Sequence, residues 1–135
     1  MGRQREIREA AMQLLFAAEL HGELRPEDAT DFWTLHSARE PIKKGAEELV
    51  KAVMENLPQI DEAISGALQN FSFDRLNNVD RNVLRLSVYE LFHKPDVPVR
   101  VVINEGIEIA RRYATEDSAK FVNGVLDRIA KTARV

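Results

Sequence analysis

The chain has 135 residues, of which 44% are hydrophobic and 30% charged, and its formal net charge is −3. This length suits a single domain with its own core, and the absence of cysteine excludes disulfides and thiolate metal sites. No apolar run reaches the ~18 residues of a membrane span and the N-terminus lacks a signal-peptide core, so we expect a cytoplasmic protein without membrane contact.

Apolar residues recur with a helical period along the whole chain, which predicts an all-α protein of about seven helices. The first helix is predicted from about Arg3 to His21, and Gly22 is placed to end it. Pro26 precedes a second helix, and Pro41 stands where a third can start. Pro58 separates the third helix from a fourth.

The second half of the chain contains the most apolar helix. Residues 71–80 are predicted to be irregular or a short helical turn, and they can divide two helical bundles. The fifth helix, residues 79–92, is apolar nearly all round, so it belongs in the centre of the fold. Pro98 opens the sixth helix, and the seventh begins near Thr115 to Ser118.

The seventh helix contains the dipeptide Asn123-Gly124, which usually marks a turn. Its apolar residues nevertheless keep helical spacing on one arc, which consists of Val122, Val125, Leu126 and Ile129. Gly124 faces away from that arc, where a neighbouring backbone can approach closely. Without such a contact, glycine only lowers the stability of the helix by about 1 kcal/mol relative to Ala. Phe121 stands beside the arc, either as a platform for stacking a base or as a ring at the core edge.

Charge is unevenly distributed along the chain. Residues 1–8 hold three basic and one acidic side chain, and residues 100–135 hold seven basic and five acidic ones. Residues 9–99 hold nine basic and sixteen acidic side chains. If the two ends meet in the fold, they form a basic surface on an acidic body; the plainer alternative is ordinary solvated helix faces.

Neither a catalytic site nor a metal site is recognisable in the sequence. The histidines His21, His36 and His93 lie far apart, and the glycines form no phosphate-binding loop. Glu105 and Glu108 form the remaining acid-base candidate, and the solvated face of the sixth helix explains them more simply. We therefore expect no cofactor and no enzymatic activity.

Three stretches resemble the NusB family of bacterial transcription antitermination factors. VPVRVVINEGIEIARRYATEDSAKFVNGVLDRIA, residues 97–130, is similar to the family pattern VP..V.INEA.ELA..F...DS..FVNGVLD.I. VDRNVLRLSVYEL, residues 79–91, is similar to V[DE]..VLR.A.YEL, and REAAMQLLF, residues 8–16, is similar to R..A.Q.LY. The match is weak from residue 22 to residue 75.

The resemblance implies a fold and a function. The fold is a NusB-like domain over residues 1–135 with two small packed helical bundles, in which the first and last helices lie near each other. The partners are the small-subunit ribosomal protein NusE, boxA-type single-stranded RNA and the RNA polymerase antitermination complex. The process is ribosomal RNA transcription, and no catalysis is implied.

The resemblance also implies two groups of site residues. Those expected to contact RNA are Arg3, Arg5, Arg8, Arg100, Asp117, Lys120 and Phe121. Those expected to contact NusE are Phe16 and Asp80. The alternatives are a frayed soluble terminus for the arginines of the first helix, helix capping for Asp117 and a core position for Phe16.

Two departures from the family patterns affect these expectations. Gly106 stands where the family more often has Ala, which weakens the sixth helix or admits closer packing, and Phe16 replaces a Tyr hydroxyl. Two other functions stay open. One is a helical scaffold that binds only proteins, and the other is a relative of the RNA-guiding domain that precedes certain RNA cytosine methyltransferases.

Overall fold

The computed structural model of the chain describes residues 2–21, 26–70 and 72–133. Within these ranges the structure has seven α-helices and one turn of 3-10 helix, without a strand, so the all-α prediction is confirmed. None of the described helices has the length and apolarity that crossing a membrane requires. The chain divides into two compact units, Met1–Glu55 and Asn56–Val135. The prediction of one domain over the whole chain stays a prediction.

The first unit contains α1 (Gly2–His21), α2 (Pro26–Leu35) and α3 (Glu40–Glu55). These bounds agree with the predicted helices, except that α3 begins one residue before Pro41. The predicted stop at Gly22 lies outside the described residues. The helices α1 and α3 approach closely at Gly45, where an added Cβ would lie 2.7 Å from Ile7 Cδ1. Glycine at this position therefore permits the contact between the two helices.

Buried apolar faces of α1 and α3 form most of the core of the first unit. They include Leu14, Leu15, Ala46, Val50 and Val53. Trp33 of α2 donates a hydrogen bond from Nε1 to Glu47 Oε2 of α3 at 2.6 Å, which ties the short helix to the longer one. Leu35, the last residue of α2, is 82% exposed, whereas Phe32 of the same helix is buried.

The second unit contains α4 (Leu57–Ala67), the 3-10 turn Phe73–Arg75, α5 (Asn78–His93), α6 (Val99–Tyr113) and α7 (Glu116–Ala133). The helix α5 packs against α4, α6 and α7, so its predicted central position is confirmed. The Phe73 ring contacts two guanidinium groups, those of Arg81 and Arg85, each 5.5 Å from the ring centre. Arg85 in turn holds Asp61 of α4 by two hydrogen bonds of 2.9 and 3.0 Å.

The helix α7 runs without interruption through Asn123-Gly124, as its apolar spacing predicted. All four residues of the predicted arc are buried: Val122, Val125, Leu126 and Ile129. An added Cβ at Gly124 would meet only the Arg128 side chain, at 3.6 Å. Gly124 therefore does not serve close helix packing among the described residues, and its effect is the loss of helix propensity.

Candidate nucleic-acid interface

The second unit has a surface pocket of about 430 Å³ where the 3-10 turn, the start of α5 and the start of α7 meet. Its walls are formed by Arg75, Leu76, Asn77, Asp80, Thr115, Asp117, Ser118 and Phe121. Three of these residues, Asp80, Asp117 and Phe121, were predicted site residues. The structure therefore gathers in one place residues that are separated in sequence.

Side-chain caps at two helix N-termini shape this pocket. The Asn77 side chain accepts a hydrogen bond from the Asp80 backbone N–H at 2.8 Å and so caps α5. Thr115 Oγ1 accepts a hydrogen bond from the Ser118 backbone N–H at 3.0 Å at the start of α7. Both caps satisfy backbone donors at the two helix starts that form part of the pocket walls.

The segment before α5 is fixed from the side of α5 itself. Arg81 donates a hydrogen bond from Nη2 to the Leu76 carbonyl oxygen at 2.6 Å. The same guanidinium group contacts the Phe73 ring. Arg75, at the end of the 3-10 turn, is exposed at the pocket. It thereby adds a cation that the sequence did not single out.

Asp80 is buried, with 6% of its surface exposed. Its Oδ2 accepts a hydrogen bond from Asn77 Nδ2 at 3.1 Å, whereas Oδ1 is buried without a hydrogen-bond partner among the described residues. Burial raises the pKa of the Asp80 carboxyl, and hydrogen bonds with Ser118 and Asn77 offset part of that rise. Its predicted contact with NusE stays a prediction.

Phe121 is half-buried and forms part of the pocket wall, so it is neither a core residue nor a fully exposed ring. Its neighbours Asp117 and Lys120 are exposed. Asp117 lies in the first turn of α7, where a carboxylate also complements the helix dipole. The pocket walls thus combine one aromatic ring, Phe121, with two carboxylates and the guanidinium group of Arg75.

The predicted arginines of α1 differ in their exposure. Arg3 is exposed, Arg5 is half-buried and Arg8 is buried, with 8% of its surface exposed. Glu6, between them, pairs with Arg39 at 3.3 Å. Arg3 and Arg5 are therefore the better placed of the three to meet a phosphate, and the idea that they share one surface with α7 stays a prediction.

The remaining predicted residues lie on helix surfaces. Arg100 is exposed in the first turn of α6. Phe16 is half-buried on α1, and Leu20, one turn further on, is 65% exposed. Residues four apart lie on the same helix face, so Phe16 and Leu20 form a small apolar strip.

Another cation, Arg111, is held within its own unit. Its Nε donates to Glu116 Oε2 at 2.7 Å, and Nη1 contacts Glu108. These hydrogen bonds raise the pKa of Arg111 above its ordinary value, and the Arg111 hydrogen bond lowers the pKa of Glu116. Glu108 is thus engaged in an ion pair. Glu105 is buried, so the expectation that it lies on the solvated face of the sixth helix is wrong. The described residues contain no cluster of His, Cys, Asp or Glu able to hold a metal ion.

Sequence reasoning missed the polar residues that complete the pocket, namely Arg75, Asn77, Thr115 and Ser118. The sequence does indicate two of them, because Asn and Thr are common N-cap residues. Asn77 and Thr115 each accept a hydrogen bond from the backbone N–H three residues further on. What the sequence could not give is that these two helix starts adjoin each other.

Comparison with known proteins gives a consistent result. Residues 5–131 match the sequence model of the NusB family. The transcription antitermination protein NusB of Sorangium cellulosum is 45% identical to this chain over 131 residues, which cover 97% of this chain and 94% of that protein. That of Pseudothermotoga lettingae is 42% identical and covers 98% of this chain and 94% of its own length.

Two solved structures extend the likeness to the fold. NusB of T. maritima superposes with a TM-score of 0.82 at 42% identity and covers 95% of this chain and 90% of its own. A structure of the antitermination factors NusB and NusE in complex with dsRNA superposes with a TM-score of 0.85 at 34% identity. That match covers 97% of this chain and 98% of the other.

Proposed function

This chain belongs to the NusB family, and from that premise we propose that it is a transcription antitermination factor that binds boxA-type RNA together with NusE. It acts within the RNA polymerase antitermination complex during ribosomal RNA transcription. A relative has been solved as a complex of NusB, NusE and dsRNA, which supports NusE and RNA as partners. The observation that carries the proposal for this chain is the pocket at the start of α7.

We propose that the pocket meets unpaired RNA. Phe121 and Asp117, on one turn of α7, lie at the same opening, with Lys120 exposed beside them. A base can enter such a pocket only when it has left its stack, so the ligand is single-stranded at this point. An aromatic side chain under a base contributes about 1 to 3 kcal/mol without strong sequence preference.

Basic side chains supply the affinity for the RNA backbone. Arg3 and Arg5 on α1, Arg100 on α6 and Lys120 on α7 are the groups proposed to neutralise phosphates. Arg8 is buried, so we assign it little direct contact with the RNA. Because each neutralised phosphate releases counterions, binding is expected to weaken as salt rises.

The contact with NusE is proposed at the apolar strip of α1. Phe16 and Leu20 lie one turn apart there, and an exposed apolar strip suits a protein surface better than RNA phosphates. Asp80 is buried, so any influence on NusE passes through the residues that cover it. We propose no catalytic step for the chain and a cytoplasmic location, where nascent RNA is made.

The test is fluorescence anisotropy of a labelled single strand of boxA type, titrated with the chain alone and with the chain plus NusE at several salt concentrations. We expect tighter binding with NusE and a linear fall of log affinity with log salt. A duplex of the same sequence and a scrambled single strand are the controls. Equal affinity for all three RNAs, or affinity independent of salt, would contradict the proposal.

A further inference from the structure

The segment that leads into α5 contains the 3-10 turn Phe73–Arg75 and the two residues after it. In the turn, the Arg75 N–H donates a hydrogen bond to the Ser72 carbonyl oxygen at 3.0 Å, and the Leu76 N–H donates to the Phe73 carbonyl oxygen at 3.2 Å. A single 3-10 turn has poor hydrogen-bond geometry and little stability by itself. Its position therefore depends on side-chain contacts with the neighbouring helices.

Two arginines of α5 hold the Phe73 ring. The guanidinium groups of Arg81 and Arg85 each lie 5.5 Å from the ring centre, which is within the range of a cation–π contact. Both groups are also fixed by other partners. Arg85 donates two hydrogen bonds of 2.9 and 3.0 Å to Asp61, and Arg81 donates one of 2.6 Å to the Leu76 carbonyl oxygen. The ring thus rests on two cations that are tied to other parts of the second unit.

Arg75 lies between two anchored residues of this segment. Phe73 is held through its ring, and Leu76 is held by the hydrogen bond from Arg81 and by burial of its side chain, which is 5% exposed. Arg75 itself is exposed and forms part of the wall of the pocket at the start of α7. The anchors on either side therefore restrict where its guanidinium group can lie.

Arg75 also changes the charge that RNA meets at this pocket. The walls include the carboxylates of Asp80 and Asp117, and Arg75 is the single basic residue among the described wall residues. Carboxylates repel a phosphate, whereas an exposed guanidinium group offers it paired N–H donors. An RNA backbone that passes this opening therefore requires Arg75 to offset the acidic walls.

We propose that Arg75 binds a backbone phosphate of the RNA at this opening, and that Phe73 is a positioning residue that acts through Arg75. The inference rests on the proposed function, because it adds one phosphate contact and its support to the RNA interface. The contacts of Phe73 with α5 limit the conformations of the segment, so less conformational entropy is lost when Arg75 closes on a phosphate. Phe73 needs no contact of its own with the RNA.

The first experiment compares the natural chain with Arg75→Gln. Fluorescence anisotropy measures the affinity of each chain, together with NusE, for a labelled boxA-type single strand at several salt concentrations. We expect Arg75→Gln to bind about tenfold more weakly at low salt. Its slope of log affinity against log salt should be smaller by about 0.7, the value for one phosphate contact with a single strand.

Two controls accompany this variant. Lys131→Gln removes an exposed charge from the last turn of α7, away from the pocket walls, and should keep the natural affinity and slope. Isothermal titration calorimetry with NusE and no RNA should give the same affinity for Arg75→Gln and for the natural chain. An unaltered salt slope in Arg75→Gln, or a loss of NusE binding by this variant, overturns the phosphate contact.

The second experiment is a double-mutant cycle that tests how Phe73 acts. Phe73→Ala should weaken RNA binding by about threefold or more in the natural chain, and much less in Arg75→Gln, where the cation it positions is already absent. Phe73→Tyr keeps the face of the ring and should retain the natural affinity. A purely structural role of Phe73 predicts the same loss in both backgrounds, and that result overturns the positioning role.

The outcomes separate this inference from the proposed function. Absence of RNA binding by the natural chain with NusE overturns the function itself. Binding by the natural chain with an unaltered slope in Arg75→Gln overturns the inference alone. If Phe73→Ala fails to fold, Phe73→Leu takes its place in the cycle, because leucine keeps an apolar side chain but has no ring face for the two arginines.

Discussion

Ser87 of α5 and Gly106 of α6 face each other so closely that a Cβ added at Gly106 would lie 2.8 Å from Ser87 Oγ. The same Cβ would lie 3.1 Å from Leu126 Cδ1 of α7. Both positions carry Ala in the NusB family patterns, which read INEA around the glycine and LR.A.YEL around the serine. The glycine therefore makes room for the serine hydroxyl, and of the two effects expected for Gly106, closer packing is the one that the structure supports.

This relationship predicts that Gly106→Ala destabilises the chain by about 1 kcal/mol. The cost of overpacking, about 1 to 3 kcal/mol, outweighs the roughly 1 kcal/mol that alanine gains in helix propensity. Urea unfolding followed by circular dichroism measures the change. The double variant Ser87→Ala, Gly106→Ala, which restores the family residues, should be at least as stable as the natural chain. Stabilisation by Gly106→Ala alone would contradict the assigned contact.

A second prediction concerns Phe121. Replacing it with Ala removes the aromatic wall of the pocket and should lower affinity for the boxA-type strand about tenfold, while Phe121→Tyr retains most of it. Phe92→Ala is the control, because Phe92 is also a half-buried ring of the second unit but lines a different groove. Equal losses in the two Ala variants would point to lost stability and not to lost stacking.

A third prediction concerns the charges at the start of α1. Removing Arg3 and Arg5 together should reduce the slope of log affinity against log salt by about 1.4, or ~0.7 for each lost phosphate contact with a single strand. The control removes the same charge from α3 in the same unit with Lys44→Ala and Lys51→Ala, both exposed. If the two double variants give the same slope, the arginines hold no phosphates.

The fold was predictable because its signals are local, whereas part of the site was not. The central position of α5 follows from apolar residues on every side, and the course of α7 through Gly124 follows from four apolar residues at helical spacing. Asp80 forms a hydrogen bond with Ser118, a residue that is far away in sequence. Charged residues are normally exposed, so a sequence pattern gives no reason to expect Asp80 or Arg8 inside.

Burial of Asp80 predicts a pH dependence of stability. Its folded-state pKa is raised, so the folded chain binds the proton more tightly and stability falls as pH rises from the ordinary Asp value through the folded pKa. The Asp80→Asn variant has no carboxyl to ionise at this position, so it does not lose this stability. Its free energy of unfolding relative to the natural chain should increase with pH between the ordinary Asp pKa and the folded-state pKa, and stay constant above it. Urea unfolding between about pH 3 and 7 measures it.

Glu116 supplies a control of opposite sign. Its hydrogen bond with Arg111 lowers the pKa of Glu116. The ionised side chain therefore stabilises the fold above the ordinary Glu pKa, and this stabilisation is lost as pH falls through the folded-state pKa. Glu116→Gln should therefore lose stability relative to the natural chain at neutral pH and less in acid. If Asp80→Asn showed this same pattern, the burial assigned to Asp80 would be wrong.

The last prediction tests the apolar strip of α1 as the contact for NusE. Phe16 is half-buried and Leu20 is 65% exposed on the same face of the helix. Changing both to Ser removes the apolar surface that NusE would cover, and large contact residues at an interface centre carry much of its binding energy. We expect at least a tenfold weaker complex with NusE by isothermal titration calorimetry, or about 1.4 kcal/mol.

The matched control for this strip is Leu35→Ser, since Leu35 is 82% exposed in the same unit and no contact is assigned to it. Its complex with NusE should keep the natural affinity. Binding of RNA to the isolated chain should be unchanged in the Phe16, Leu20 variant, because the proposed RNA contacts lie elsewhere. Loss of RNA binding by that isolated variant, or equal weakening of NusE binding by Leu35→Ser, would show that the strip is not a separate partner surface.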